Sequence, residues 1–428
     1  MFRRVVIITL ALVCAASWLF TLHVARRAFH MTPDAVDYLT IARQRALGRG
    51  WTMPIKWCWA DDSPAVHSAL GERPLAWPAL ARYAVLIDPE NPGPPAQVLN
   101  TFLIGLAAIV WGFAAAQIAG SAIAGWLTAA MLLTSATTLF VTTAALTEPL
   151  YLLELGLMVL LIGSKSQEKI SPAMQGALLG LLTAALYLTR PTGPIVVLAF
   201  LLHFILSQGK GWRKRFALWA LVAVPLLALW HFAVWRAWGD PFHNLTSVHL
   251  HVLNITEVMI RGWGLELPSV GALFAAHGDE ILAKWGEHLL LHTEALIEPG
   301  ALGLLAPLLA LVAVQAMSRW RPWALLWLLA LGHWLGAVLT WATTEPARLT
   351  LPTFICLLPL CLAAATDFLR NPPLPSAGAS CAPKPLRRRR EGEKGGEGAC
   401  AGGGDAGTAC CAPTLREDKG GEGAPGEG

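Results

Sequence analysis

Two carboxylates, Asp34 and Asp37, stand at the point where the chain leaves its first apolar stretch, in the segment PDAVDYLTIARQRALGRGW. Acids held at a bilayer rim suit chemistry on a lipid-bound substrate better than passage of a solute through the membrane. Other ionisable residues sit at comparable places. Glu148 opens an apolar run in TTAALTEPLYLLEL, Arg190 closes another in ALYLTRPTGP, and Glu345 and Arg348 lie in TTEPARLTLP. Ionisable groups beside membrane helices carry a functional hypothesis by default, because placing them there is costly.

The elements that must position these groups are membrane helices. Of 428 residues, 55% are hydrophobic and only 14% charged. Soluble domains carry about a quarter charged residues, so the composition excludes an ordinary globular enzyme. About 20 apolar residues cross a bilayer. Ten such stretches are expected, centred near residues 13, 109, 131, 155, 181, 200, 226, 308, 333 and 358. Lys and Arg collect in alternate connections: Lys165 and Lys169, then Lys210, Arg213, Lys214 and Arg215, then Arg319 and Arg321, then Arg387 to Arg390. Short cytoplasmic loops attract such residues, so both termini are expected inside. Asp34, Asp37, Glu148, Arg190, Glu345 and Arg348 then share the outer face.

Two outer segments, about 23–98 and 236–298, exceed what a connector needs. Each holds an amphipathic run, RPLAWPALARYAVLI and DEILAKWGEHLLLH, suited to lying in the interface. From residue 371 to 428, Gly, Glu, Lys and Pro replace large apolar residues. That composition predicts a disordered cytoplasmic tail, leaving residues 1–370 as the folded membrane domain. Eight Cys form no disulfide framework, and the tail Cys lack a His or paired C-x-x-C for zinc. No phosphate-binding loop, dinucleotide fingerprint, HExxH or G-x-S-x-G elbow occurs. No cofactor, metal or nucleic acid is expected. His203, His231 and His333 read as hydrogen-bonding residues of apolar helices, and Glu154 as an acid hydrogen-bonded to a neighbouring helix.

Asp34, Tyr38, Ala42, Gly48 and Gly50 are spaced D-x3-Y-x3-A-x5-G-x-G. With ERPLAWPAL, TEPLYLL, YLTRPTG and EPARLTLPTFICLLPL, this resembles the polytopic GT-C glycosyltransferases, in particular the bacterial aminoarabinose transferase and protein O-mannosyltransferase group. Ala35 stands where that group often has a second acid beside the first. The resemblance implies an all-α membrane fold with interfacial helices in the first outer loop. It also implies a polyprenyl-phosphate sugar donor, an extracytoplasmic lipid, glycan or protein acceptor, and a bacterial inner-membrane location. In that chemistry one carboxylate, Asp34 or Asp37, takes the acceptor's proton. Cations stabilise the departing phosphate, for which Arg190, Arg348, Arg73 and Lys56 are the candidates, with Tyr38, Glu148 and Glu345 in support. A transporter or flippase of lipid-linked saccharides and a non-catalytic scaffold are the competing readings. A transporter is expected to place its charges near the bilayer midplane.

Overall fold

The computed structural model describes residues 2–25, 32–54, 66–163, 170–206, 211–243, 270–297, 323–339 and 346–370. These form thirteen helices and one two-stranded ribbon. The helices are α1 (Phe2–Ala25), α2 (Pro33–Ala46), α3 (Ala76–Ile87), α4 (Gly93–Ala119), α5 (Ala122–Thr134), α6 (Ala136–Thr143) and α7 (Glu148–Gly163). They continue with α8 (Pro172–Thr189), α9 (Gly193–Leu206), α10 (Trp212–Trp238), α11 (Val270–Ile297), α12 (Ala324–Leu339) and α13 (Pro346–Arg370).

This is a polytopic helical membrane fold. Five helices, α1, α4, α8, α10 and α13, are long and apolar enough to cross a bilayer. The pair α5 and α6, bent by 55° at Ser135, makes a sixth. Helices occupy nine of the ten expected positions among the described residues, with α7, α9 and α12 spanning 16, 14 and 16 residues. The stretch near 308, Lys56, Cys58, Glu345 and the tail from 371 lie outside the described residues. The two amphipathic runs are helical, as α3 and within α11.

The central pair is α4 against α7, with α5 on the far side of α4; α8 packs chiefly on α10, and α13 on α12 and α4. The apolar core is contiguous across these helices. Beneath α2 a short ribbon pairs Thr52 with Ser68 and Met53 with His67. The chain reaches it from α2 through Gly48 and Gly50, both in the left-handed region at φ +74° and +79°, where glycine carries no steric penalty. Ile41, Met53, Ala69 and Leu75 make a second small core there, with Trp230 of α10 packed against it. The indole of Trp238, at the end of α10, donates to the Leu70 carbonyl at 2.6 Å and ties this outer segment to the helices.

The turn between α6 and α7 is fixed from outside. Ala145 sits at φ +53°, a conformation costing an L-residue roughly 1–2 kcal/mol. It persists because neighbouring helices hold the turn's carbonyls. Trp77 of α3 donates to Ala145 O at 2.9 Å, Asn100 of α4 donates to Leu146 O at 2.9 Å, and Gln97 of α4 donates to Thr143 O. Gln97 and Asn100 are fully buried polar residues in a mostly apolar helix. Their work is to aim the residue that follows the turn, Glu148. Asn100→Ala removes a buried donor and leaves the Leu146 carbonyl unsatisfied, which costs about 1–3 kcal/mol. Thermal unfolding of the detergent-solubilised variant should show that loss; an unchanged midpoint would mean the turn stands without Asn100.

Candidate active site

The helix ends converge. Thr32 caps α2, its hydroxyl accepting from the Ala35 amide, and Pro33 takes the first helical position. The sequence pattern puts Asp34 near the N-cap, where backbone amides would occupy its carboxylate. Thr32 fills that role instead, and Asp34 is left to project sideways. It meets two guanidinium groups: Arg73 Nη1 lies 3.1 Å from Oδ1, and Arg348 Nη2 lies 2.8 Å from Oδ2. Arg348 belongs to the first turn of α13, and its Nε also donates to Glu148 Oε1 in the first turn of α7. Arg190, the residue that ends α8, places Nη1 3.2 Å from the same Glu148 oxygen. The second Glu148 oxygen is buried and has no hydrogen-bond partner among the described residues.

Asp37 has a different task. It lies one turn on and receives Arg73 through Nη2 at 2.6 Å and Nε at 2.9 Å. Both donors meet the same oxygen, Oδ2, and each bond is strengthened by joining ionised partners. The Asp37 side chain is 2% exposed and that of Asp34 27%. Asp37 is therefore the buried anchor of Arg73, and Asp34 is the acid that faces outward. The Arg73 guanidinium also stands 5.9 Å over the ring of Tyr38. Burial and the neighbouring Asp34 charge push the Tyr38 phenol up to about 12, so it stays neutral.

Three carboxylates and three guanidiniums thus form one network from five separate parts of the chain. Burial alone raises the Asp34 carboxyl pKa, but Arg348, Arg73 and Arg190 outweigh it and hold Asp34 below the ordinary carboxylate value. The helix termini help. Asp34 and Glu148 both occupy first turns, where the partial positive charge of the helix N-terminus favours an anion.

Below the network the polar groups are paired. Tyr151, one turn into α7, donates to His333 Nε2 at 2.6 Å, while His333 Nδ1 donates to the Leu329 carbonyl. Arg190 stands 5.6 Å over the Tyr151 ring. Glu154 accepts from Thr189 of α8 at 2.8 Å, the interhelical bond expected of it. Of the residues singled out in the sequence, Asp34, Asp37, Tyr38, Arg73, Glu148, Arg190 and Arg348 come together. Lys56 and Glu345 lie outside the described residues. His333 makes the hydrogen bonds expected of it; its partner Tyr151, with Thr32, Gln97, Asn100 and Trp77, escaped the sequence reading, although polar residues on an apolar helix were a visible signal for two of them.

No family model matches the chain, and no curated protein matches it. Solved structures do match. The oligosaccharyltransferase of Archaeoglobus fulgidus, in its complex with zinc and sulfate, aligns with a TM-score of 0.54 at 13% identity over 85% of this chain and 49% of that one. The same organism's archaeal oligosaccharyltransferase AglB, in complex with an inhibitory peptide and a dolichol-phosphate, aligns with a TM-score of 0.52 at 12% identity, over 86% and 51%. The apo form gives 0.52 at 13% identity, over 85% and 50%. The chain spans about half the length of these proteins, and over that half its fold is the GT-C-like fold expected from its motifs.

Proposed function

We propose that the protein is a membrane glycosyltransferase that moves a sugar from a polyprenyl-phosphate donor to an extracytoplasmic acceptor hydroxyl on a lipid, glycan or protein. The observation that carries this reading is the shared pairing of Arg348 with Asp34 and Glu148 beside Arg190. The donor's phosphodiester is a monoanion that guanidinium groups match in geometry, and its second negative charge appears on the phosphate as the sugar leaves. As the donor phosphate draws Arg348 away, Asp34 loses part of its counter-charge and becomes a better base. The acceptor hydroxyl gives its proton to Asp34 and its oxygen attacks the anomeric carbon. The bond from that carbon to the phosphate oxygen breaks, and the phosphate leaves with the electron pair, stabilised by Arg190 and Arg348. No acid is needed, because the leaving group is already an anion. Asp37 holds Arg73 in place throughout.

Zinc accompanies one of the similar archaeal structures. Here Asp34, Asp37 and Glu148 are each committed to guanidinium groups, and among the described residues no three His, Cys, Asp or Glu side chains are grouped to hold a metal ion. Such a donor set fits an incoming anion and not a divalent cation, so no step is assigned to a metal.

The reading places the protein in a bacterial inner membrane with both termini cytoplasmic, the network on the outer face, residues 1–370 as the catalytic domain and 371–428 as a cytoplasmic tail. Reporter fusions after Lys169 and after Ala275 should then report opposite sides; the same side for both would break the helix count. The activity itself is tested by deletion in the host. The polyprenyl-phosphate sugar should accumulate while one glycosylated lipid or polymer of the envelope disappears. A deletion strain with both pools unchanged would sink the proposal.

A further inference from the structure

A cavity of about 210 Å³ lies directly beside the ion network. Arg73 and Arg190 border it, and the same two side chains pair with Asp34, Asp37 and Glu148. The cavity and the candidate reaction centre therefore share a wall. Its far side is built by Tyr187 at the end of α8, Trp230 and His231 of α10, and Phe242 just beyond α10. The fit is tight at Gly71, another wall residue at φ +82°, where a Cβ would meet the His243 carbonyl at 2.5 Å.

The hydrogen bonds of that wall have a direction. His231 Nδ1 lies 2.7 Å from the Pro241 carbonyl, which can only accept, so Nδ1 carries the proton. In the neutral ring Nε2 is then a bare acceptor, and Tyr187 donates to it at 2.9 Å. The Tyr187 proton is thereby committed. What its oxygen still offers is lone pairs, which select a ligand group that donates, such as a hydroxyl. Trp230 and Phe242 add apolar rings to the lining, and Arg73 and Arg190 add guanidinium groups. Apolar faces with a few fixed polar atoms are the make-up of a small-molecule site. The volume is below the roughly 300–1,000 Å³ of pockets for drug-sized ligands, which suits one sugar ring and not a chain of them.

We infer that this cavity seats a single sugar ring of the lipid-phosphate donor, with the Tyr187 oxygen accepting a hydrogen bond from one of its hydroxyls, so that Tyr187 and its positioning partner His231 set sugar specificity. The inference rests on the glycosyl-transfer reading, and the test separates the two. Binding to the purified full chain in detergent is measured for polyprenyl methyl phosphate, a sugar-free diester of the same charge, and for the polyprenyl phosphate bearing glucose, mannose, galactose or N-acetylglucosamine. At least one sugar-bearing lipid should bind more tightly than the sugar-free one. Tyr187→Phe should remove roughly threefold to tenfold of that advantage, the worth of one hydrogen bond, and leave polyprenyl methyl phosphate unaffected. His231→Ala, which frees the Tyr187 proton, should give the same selective loss by a second route. Equal affinity for all five lipids, or a sugar advantage that survives both variants, overturns the inference. Arg190→Ala reports on the parent reading, because it should weaken all five lipids alike. If polyprenyl methyl phosphate binds and Arg190→Ala does not weaken it, the phosphate clamp fails instead. A chain that binds none of the five overturns both.

Discussion

Asp34→Asn is expected to lower glycosyl transfer by about 10²–10⁴ at normal protein levels, the usual worth of a positioned base. Thr32 and not Asp34 caps α2, and Asn is nearly isosteric, so the fold should survive. Asp37→Asn should behave differently. It strips the buried anchor from Arg73, and its loss should appear first as lowered stability. Transfer near normal in Asp34→Asn, with orders of magnitude lost in a well-folded Asp37→Asn, would move the proton to Asp37. The pH dependence makes a finer test. The folded-state pKa of Asp34 is lowered, so its ion pairs contribute fully above the unfolded value of about 3.9. They are lost only as pH falls through the lower folded value. The acid limb of kcat/KM, which reports the free enzyme, should therefore lie below about pH 4. With phosphate drawing Arg348 away in the complex, the acid limb of kcat should lie at higher pH. Coincident limbs would mean that the donor does not release Asp34.

Arg348→Ala should have the largest effect on stability. Among the described residues the variant leaves Glu148, whose side chain is 1% exposed, with Arg190 as its ion-pair partner, and Asp34 with Arg73 as its own. Removing one partner from a buried pair costs about 3–5 kcal/mol; because each carboxylate keeps a second arginine, the lower end of that range is expected. Use of the lipid-phosphate donor should fall as well, and Lys should restore it only in part for want of the planar fork. Adding Asp34→Asn to Arg348→Ala leaves the pairs Arg73–Asp37 and Arg190–Glu148 intact and should recover stability without recovering donor binding. That separates a structural tie from a contact to the donor. A double variant that regains donor binding would reduce Arg348 to a structural residue.

The candidate site was largely legible because its residues are ionisable and membrane helices hold few of those. Asp34, Glu148 and Arg190 announced themselves by sitting beside prolines at the ends of apolar runs, and Arg348 by following one two residues on; alternation of Lys- and Arg-rich loops led to the expectation that they share one face. Their pairing could not be read. That Arg348 bridges Asp34 and Glu148, while Asp37 is buried against Arg73, depends on the direction each helix end takes. The distinction between Asp34 and Asp37 turned on Thr32, a single capping hydroxyl one residue before the proline. The positions of most helices followed from hydropathy, yet α7, α9 and α12 are shorter than the expected spans, since apolar runs do not mark where a turn begins. The Ala145 turn was invisible for a related reason. An alanine gives no warning of a positive φ when the carbonyls that stabilise it are held by Trp77, Gln97 and Asn100 from elsewhere.

The long reach of Arg348 also bears on how the protein is made. Its partner Glu148 lies 200 residues earlier in the chain. At about 5–20 residues per second, the ribosome needs roughly 10–40 s to travel between them. For most of that interval Arg190 can already shield Glu148, and Arg73 can already shield Asp34 and Asp37. The arrival of α13 then locks the two half-networks to each other. A protein interrupted before its last described helix would insert its earlier helices yet hold the two halves apart. The network is whole only when this last guanidinium joins its two ends.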